Sequence, residues 1–169
     1  METSNDPLRA YLERCLHEHA PQRLLLMGQD STRRDALQAL ASRHGAVCTA
    51  SSVADMSDTD STAARFDLAI VLPAMISELN KREGRQLISR LRDQLAGTVL
   101  VCVDTRAQTA EPWTISDFIA LGFRRSPDSR RLGPEVSVYR YDIRDYKTTP
   151  DWLNSRYWAN PQRWDRERW

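Results

Sequence analysis

Residues 23–50 read RLLLMGQDSTRRDALQALASRHGAVCTA, and this stretch decides the fold. RLLLM is a continuous apolar run, too short for a helix and closed by Gly28, which suits a strand buried on both faces. After it, Thr32 and Asp35 have capping-box spacing, Ala36, Leu37, Leu40 and Ala41 fall on one helical face, and Gly45 supplies a stop. AVCTA then offers a second strand. Strand, helix, strand is the unit that builds a parallel sheet, because parallel neighbours need a long crossover between them.

The same alternation continues on both sides. Upstream, Asp6 and Pro7 open an amphipathic helix over 6–19, with Leu8, Tyr11, Leu12, Cys15 and Leu16 on its apolar face. Downstream, 51–64 is poor in large apolar residues and reads as a loop or loose helix. FDLAIVLPA (66–74) is another buried strand. ISELNKREGRQLISRLRDQLAG (76–97) reads as one long helix that turns Leu87, Ile88, Leu91 and Leu95 inward and is capped by Gly97. TVLVCVD (98–104) is a further strand, and TISDFIALGF (114–123) a helix with Thr114 and Asp117 at capping-box spacing. VSVYRYDI (136–143) alternates as a strand exposed on one face should. Apolar runs separated by helices imply an open, mostly parallel α/β sheet covered on both sides.

Composition narrows the function classes. With 169 residues, 41% of them hydrophobic, the chain suits one domain with a sizeable core. Twenty-four Lys and Arg against 23 Asp and Glu leave a net charge of +1, so no global field attracts nucleic acid or an anionic membrane. No apolar run reaches the length that spans a bilayer, and a cytoplasmic protein is expected. Cys15, Cys48 and Cys102 have no metal-ligand spacing and read as reduced, mostly buried small hydrophobes. His17 and His19 stand two apart on a helix and so point to nearly opposite faces. They cannot share one ion. All three histidines read as structural, with His19 and His44 near helix ends where positive charge is favoured. No catalytic or metal-binding set emerges.

RLLLMGQDS, AVCTASS, FDLAIVLPAM, LAGTVLVCVD, FIALGFRRS and VSVYRYDI, in that order, resemble the class I S-adenosylmethionine-dependent methyltransferase fold over roughly residues 22–143. The resemblance implies a Rossmann-like sheet whose last strand is antiparallel. It places the ligand crevice beyond the carboxyl ends of the strands, around Gly28, Gln29, Asp30, Ser31, Pro73, Ala74, Met75, Asp104 and Thr105. Gly28, Asp30 and Ser31 are then the candidate cofactor-binding residues. Three features of that family are missing. MGQDS keeps one glycine, CTASS has no acidic residue for a ribose and Asp55 comes several positions late, and VLPAM supplies no polar group. The family's third strand and helix are reduced to 51–64. The expectation is a fold retained without its chemistry, with S-adenosylmethionine disfavoured as a ligand; the alternative is an enzyme that binds S-adenosylmethionine or a nucleotide through divergent motifs.

Two further regions are candidates for partners. GFRRSPDSRRLGPE (122–135) concentrates Arg124, Arg125, Arg130 and Arg131, which on the resembled fold would open at the crevice end and suit a phosphate, a carboxylate or a nucleic-acid backbone. A solvated hairpin tip is the plainer reading. Residues 149–169 form a separate tail after a domain over 1–148, and the tail resembles that of a small proteobacterial family. It holds four of the five tryptophans, interleaved with arginines. TPDWLNSRYWA and NPQRWDRERW each open with a cap residue and proline, as short helices do. Such helices need a surface, which is the domain itself, a second copy or another molecule. Trp164, Arg168 and Trp169 are the candidate contacts for a protein partner or homo-oligomer, with nucleic acid as a weaker alternative.

Overall fold

The computed structural model describes residues 6–52, 64–107, 110–146, 156 and 160–163. Helix α1 (Pro7–His19) leads into β1 (Arg23–Met27), α2 (Ser31–Arg43) and β2 (Val47–Ser51). There follow β3 (Phe66–Val71), α3 (Met75–Glu78), α4 (Lys81–Arg90), a π-helical turn (Leu91–Leu95) and β4 (Ala96–Asp104). The chain continues through α5 (Ile115–Ala120), β5 (Arg124–Arg125), a 3-10 helix (Pro127–Leu132), β6 (Val136–Asp142) and α6 (Ile143–Tyr146), with a last 3-10 turn at Pro161–Arg163.

The six strands form one sheet in the order β2-β1-β3-β4-β6-β5. The β2, β1, β3 and β4 strands are parallel, and β6 runs antiparallel between β4 and β5. This is the expected α/β architecture with an antiparallel last strand. Period-2 alternation divides the core. Leu24, Leu26, Leu68, Ile70, Leu100, Cys102 and Val138 face α1 and α2, while Leu25, Met27, Ala69, Val71, Val99, Val101 and Tyr139 face α4 and α5. Residues buried on both faces explain why these strands read as unbroken apolar runs.

The apolar face predicted for α1 is the buried one: Leu8, Tyr11, Leu12, Cys15 and Leu16 all lie in the core. The Thr114 and Asp117 capping box is present at the start of α5. Other expectations are corrected. Helix α2 starts one residue before Thr32, because the Asp30 carboxylate already accepts from the Arg33 amide and leaves no role for a Thr32 cap. The long helix over 76–97 is broken at Leu79, whose backbone is extended, and Asn80 starts a new helix by accepting from the Glu83 amide. An Asn followed three residues later by Glu carries that signal in the sequence. Gly97 is no cap, since the π turn delivers the chain straight into β4 at Ala96. The β6 strand is covered on both faces: Val138 packs under α1, and Tyr139 stacks on Phe118 at 3.9 Å. Its polar positions reflect Arg140 and the buried Ser137 and Asp142 rather than an open face. Cys48 is only half-buried, because β2 is an edge strand.

Among the described residues no helix is long and apolar enough to cross a membrane. The expected reduced strand region over 51–64 falls mainly on 53–63, outside the described residues, as does most of the tail.

Candidate functional site

The order of β1 and β3 puts the switch point of the sheet at the carboxyl ends of these two strands, where α/β proteins take ligands. The Leu72 amide donates to the Met27 carbonyl at 2.8 Å and zips the strands together as far as Gly28. Gly28 itself is buried with φ +137°, and a Cβ there would stand 2.8 Å from Leu72 Cβ. The glycine is therefore required by the neighbouring strand, whatever lies beyond it.

Asp30 follows at the N-terminus of α2. One oxygen accepts from the Arg33 amide at 3.1 Å, and the other from Arg33 Nη1 at 2.7 Å. Arg33 Nε donates in turn to Asp6, the cap of α1, at 2.6 Å. Burial pushes the Asp6 carboxyl up, but Arg33 and the Leu8 and Arg9 amides outweigh it and hold the group below its usual value. Arg33 thus clamps the first turns of both helices. Ser31 is exposed beside it. At the end of β2 the Ser51 hydroxyl donates to the Ser52 carbonyl, and Asp55 lies outside the described residues.

Around the carboxyl end of β4, Asp104 accepts from the Arg106 amide at 2.8 Å, and Thr105 donates to the carbonyls of Pro134 and Glu135. Arg106 pairs with Glu135. A cavity of about 110 Å3 opens there, walled by Ile76, Val103, Trp113 and Tyr139. A larger cavity of about 640 Å3 lies at the opposite ends of the strands, beside His19, Asp67, Thr98 and Asp142. Its polar walls are engaged: Asp67 accepts from the Gln22 and Arg23 amides, and Asp142 from Arg140 and Arg144.

Arg130 and Arg131 sit exposed on the 3-10 helix, and Arg131 reaches Asp128 at 3.5 Å. Trp164, Arg168 and Trp169 lie outside the described residues. His17 meets His44 edge-on at 4.6 Å and joins α1 to α2. His19 differs from expectation, because burial, reinforced by Arg140 and Arg144, pushes its imidazole below the usual value. The neutral form is favoured there rather than the positive one. Burial raises the thiol of Cys102 to about 12, far from the range of a reactive thiolate. No group of His, Cys, Asp and Glu among the described residues could hold a metal ion.

Arg124, singled out in the sequence with Arg125, Arg130 and Arg131, instead meets two arginines that the sequence did not single out, Arg140 and Arg14. Arg124 and Arg140 are register partners across β5 and β6, so their side chains share one face. With Arg14 of α1 they line a cleft of about 340 Å3, closed by Tyr11, Ser126 and Asp145. The sequence signal was the arginine in the polar half of VSVYRYDI, set opposite the first arginine of GFRRS.

The family described as "Family of unknown function (DUF6231)" matches residues 6–169. No curated protein matches the sequence. Solved structures do resemble the fold. The small RNA methyltransferase HEN1 aligns with a TM-score of 0.55 at 11% identity, covering 80% of this chain and 25% of that one. A candidate O-methyltransferase from Nostoc punctiforme aligns with a TM-score of 0.53 at 14% identity, covering 80% of this chain and 55% of that one. The chain therefore spans a quarter to about half of the length of these structures. At such identities the likeness is one of fold: the sheet is that of the class I S-adenosylmethionine-dependent methyltransferases.

Proposed function

This chain belongs to the DUF6231 family, and we propose that it is a non-catalytic methyltransferase-like module that acts through contacts with protein partners. One observation carries the reading. The acidic residue of the first turn, Asp30, is spent on the helix start and on Arg33, with both carboxylate oxygens bonded inside the fold. A cofactor would have to compete with that clamp. Gly28, the surviving glycine of the turn, is accounted for by Leu72. In titration calorimetry the protein is expected to give no saturable heat with S-adenosylmethionine or S-adenosylhomocysteine. A dissociation constant in the range of about 10 μM or tighter, abolished by Asp30→Ala, would hand the crevice back to an enzyme.

Contacts with partners are assigned to the exposed apolar pair on α5 and to the tail. Ile115 and Ile119 are one turn apart and are 48% and 62% exposed, an apolar edge that the described residues leave open. Trp164, Arg168 and Trp169, with Arg130 and Arg131, add residue types that dominate binding hot spots. A second copy of the chain is the first partner to test. Sedimentation of the full chain is expected to show concentration-dependent association that is lost in Ile115→Glu/Ile119→Glu and reduced by deleting residues 160–169. A monomer at every concentration sinks the self-association arm.

A further inference from the structure

We propose that the cleft between α1, β5 and β6 is a binding site for a small phosphate-type oxyanion, held between Arg124 and Arg140. Arg124 and Arg140 are Cα partners in antiparallel register, so their like charges stand directly opposite on one sheet face, which is destabilising. Arg124 makes no side-chain hydrogen bond or ion pair among the described residues. Arg140 donates Nη2 to Asp142 at 2.7 Å, but Asp142 is shared with Arg144, and no acceptor meets the buried Nε of Arg140. Among the described residues one carboxylate thus serves two guanidinium groups, and Arg124 has none.

Neutral donors converge on the same space. The buried Tyr11 hydroxyl donates to Ser126 Oγ at 2.9 Å, which leaves the Ser126 proton free to be given to an acceptor in the cleft. Three acids also line the cleft. Asp128 is bound by Arg14 at 2.7 Å, Glu18 lies 3.8 Å from the same arginine, and Asp145 extends from α6. A compact oxyanion between Arg124 and Arg140 meets two guanidiniums and the Ser126 hydroxyl, while a long acidic chain would also meet the carboxylates that line the cleft. Paired guanidiniums suit phosphate because they offer parallel donors to its oxygens. The site lies away from the sheet's switch point and stands whether or not the crevice binds a cofactor.

The test titrates the full chain at low ionic strength with inorganic phosphate and, separately, with adenosine 5′-monophosphate and succinate. Chemical shifts of the arginine Nε–Hε groups report on the site. Saturable movement of the Arg140 Nε signal is expected, with a dissociation constant of about 1 mM or tighter. Arg124→Ala is expected to weaken binding about tenfold or more, as the loss of a charge-assisted bond implies. Arg124 is exposed, so this variant should fold; Arg130→Ala/Arg131→Ala, at the tip outside the cleft, should bind as the native chain does. Tighter binding of the nucleotide than of phosphate identifies an organic phosphate, and equal binding identifies the free ion. Binding of succinate alone, no saturable shift with any probe, or an Arg124→Ala variant that binds phosphate normally overturns the proposal.

Discussion

Replacing Asp117 by alanine is expected to lower the free energy of unfolding by about 3 kcal/mol, since it removes the acceptor of four donors at once. The carboxylate takes Lys81 Nζ at 2.9 Å, Arg85 Nη2 at 2.7 Å, and the Thr114 amide and hydroxyl at 2.9 and 2.8 Å. It joins α4 to the start of α5 over the Trp113, Phe118 and Tyr139 stack. Arg85 is more than half exposed and rehydrates when released, so most of the loss comes from the cap and the half-buried Lys81. Asp117→Asn, which keeps an oxygen for Thr114, should lose roughly half as much. Denaturant unfolding measures both; a loss under about 1 kcal/mol for the alanine variant removes Asp117 from the forces that hold these helices.

Acid should act through the same group. Burial raises the Asp117 carboxyl, yet Lys81, Arg85 and the Thr114 donors together pull it well below the ordinary carboxylate value. Asp142, held first by Arg144 and then by Arg140 against the cost of burial, is depressed likewise. A carboxylate whose folded pKa lies below its unfolded value of about 3.9 contributes fully above that value, and its contribution is lost as pH falls toward the folded value. The native chain should therefore keep these contributions down to about pH 5 and lose them steadily in more acid solution. The Asp117→Ala curve should be flatter across that window.

These aspartates also mark how far the sequence could be read. The elements that bury one face of a helix or both faces of a strand were legible, because burial imposes a period on the apolar residues and RLLLM, FDLAIV and TVLVCV carry it plainly. Asp117 was legible as a cap from Thr114 three residues earlier, though its arginine and lysine partners were not, since they arrive from a helix some thirty residues upstream. The break at Leu79 was missed because the helical spacing of Leu87, Ile88, Leu91 and Leu95 was carried back over Ile76, although Asn80 and Glu83 stand at the spacing of a cap. The arginine cleft depended on strand register. Whether Arg140 opposes Arg124 or its neighbour Arg125 is decided by the length of the 126–135 connection, which local pattern does not specify.

Gly28→Ala is expected to destabilise the chain by about 3 to 4 kcal/mol in the absence of any ligand, which separates packing from cofactor binding as the reason for this glycine. On the resembled fold, a glycine after the first strand is explained by the backbone's approach to a nucleoside. Here the demand comes from inside. The φ of +137° is one that a side chain rarely adopts, and the new methyl would lie 2.8 Å from Leu72 Cβ, an atom fixed by its own strand position. Leu72 is fully buried against the α1 side of the core, so it has little room to withdraw. A double-mutant cycle measures how firmly the rest of the Leu72 side chain holds the clashing Cβ in place. Leu72→Ala retains its Cβ, so it should relieve only what the rest of the side chain prevents, and the pair should couple by about 0.5 to 1 kcal/mol. Most of the Gly28 penalty should persist, as the Cβ–Cβ clash and the backbone strain together. If Gly28→Ala unfolds at the same denaturant concentration as the native chain, the glycine answers to a ligand after all, and the crevice at the end of β1 becomes the first place to look for one.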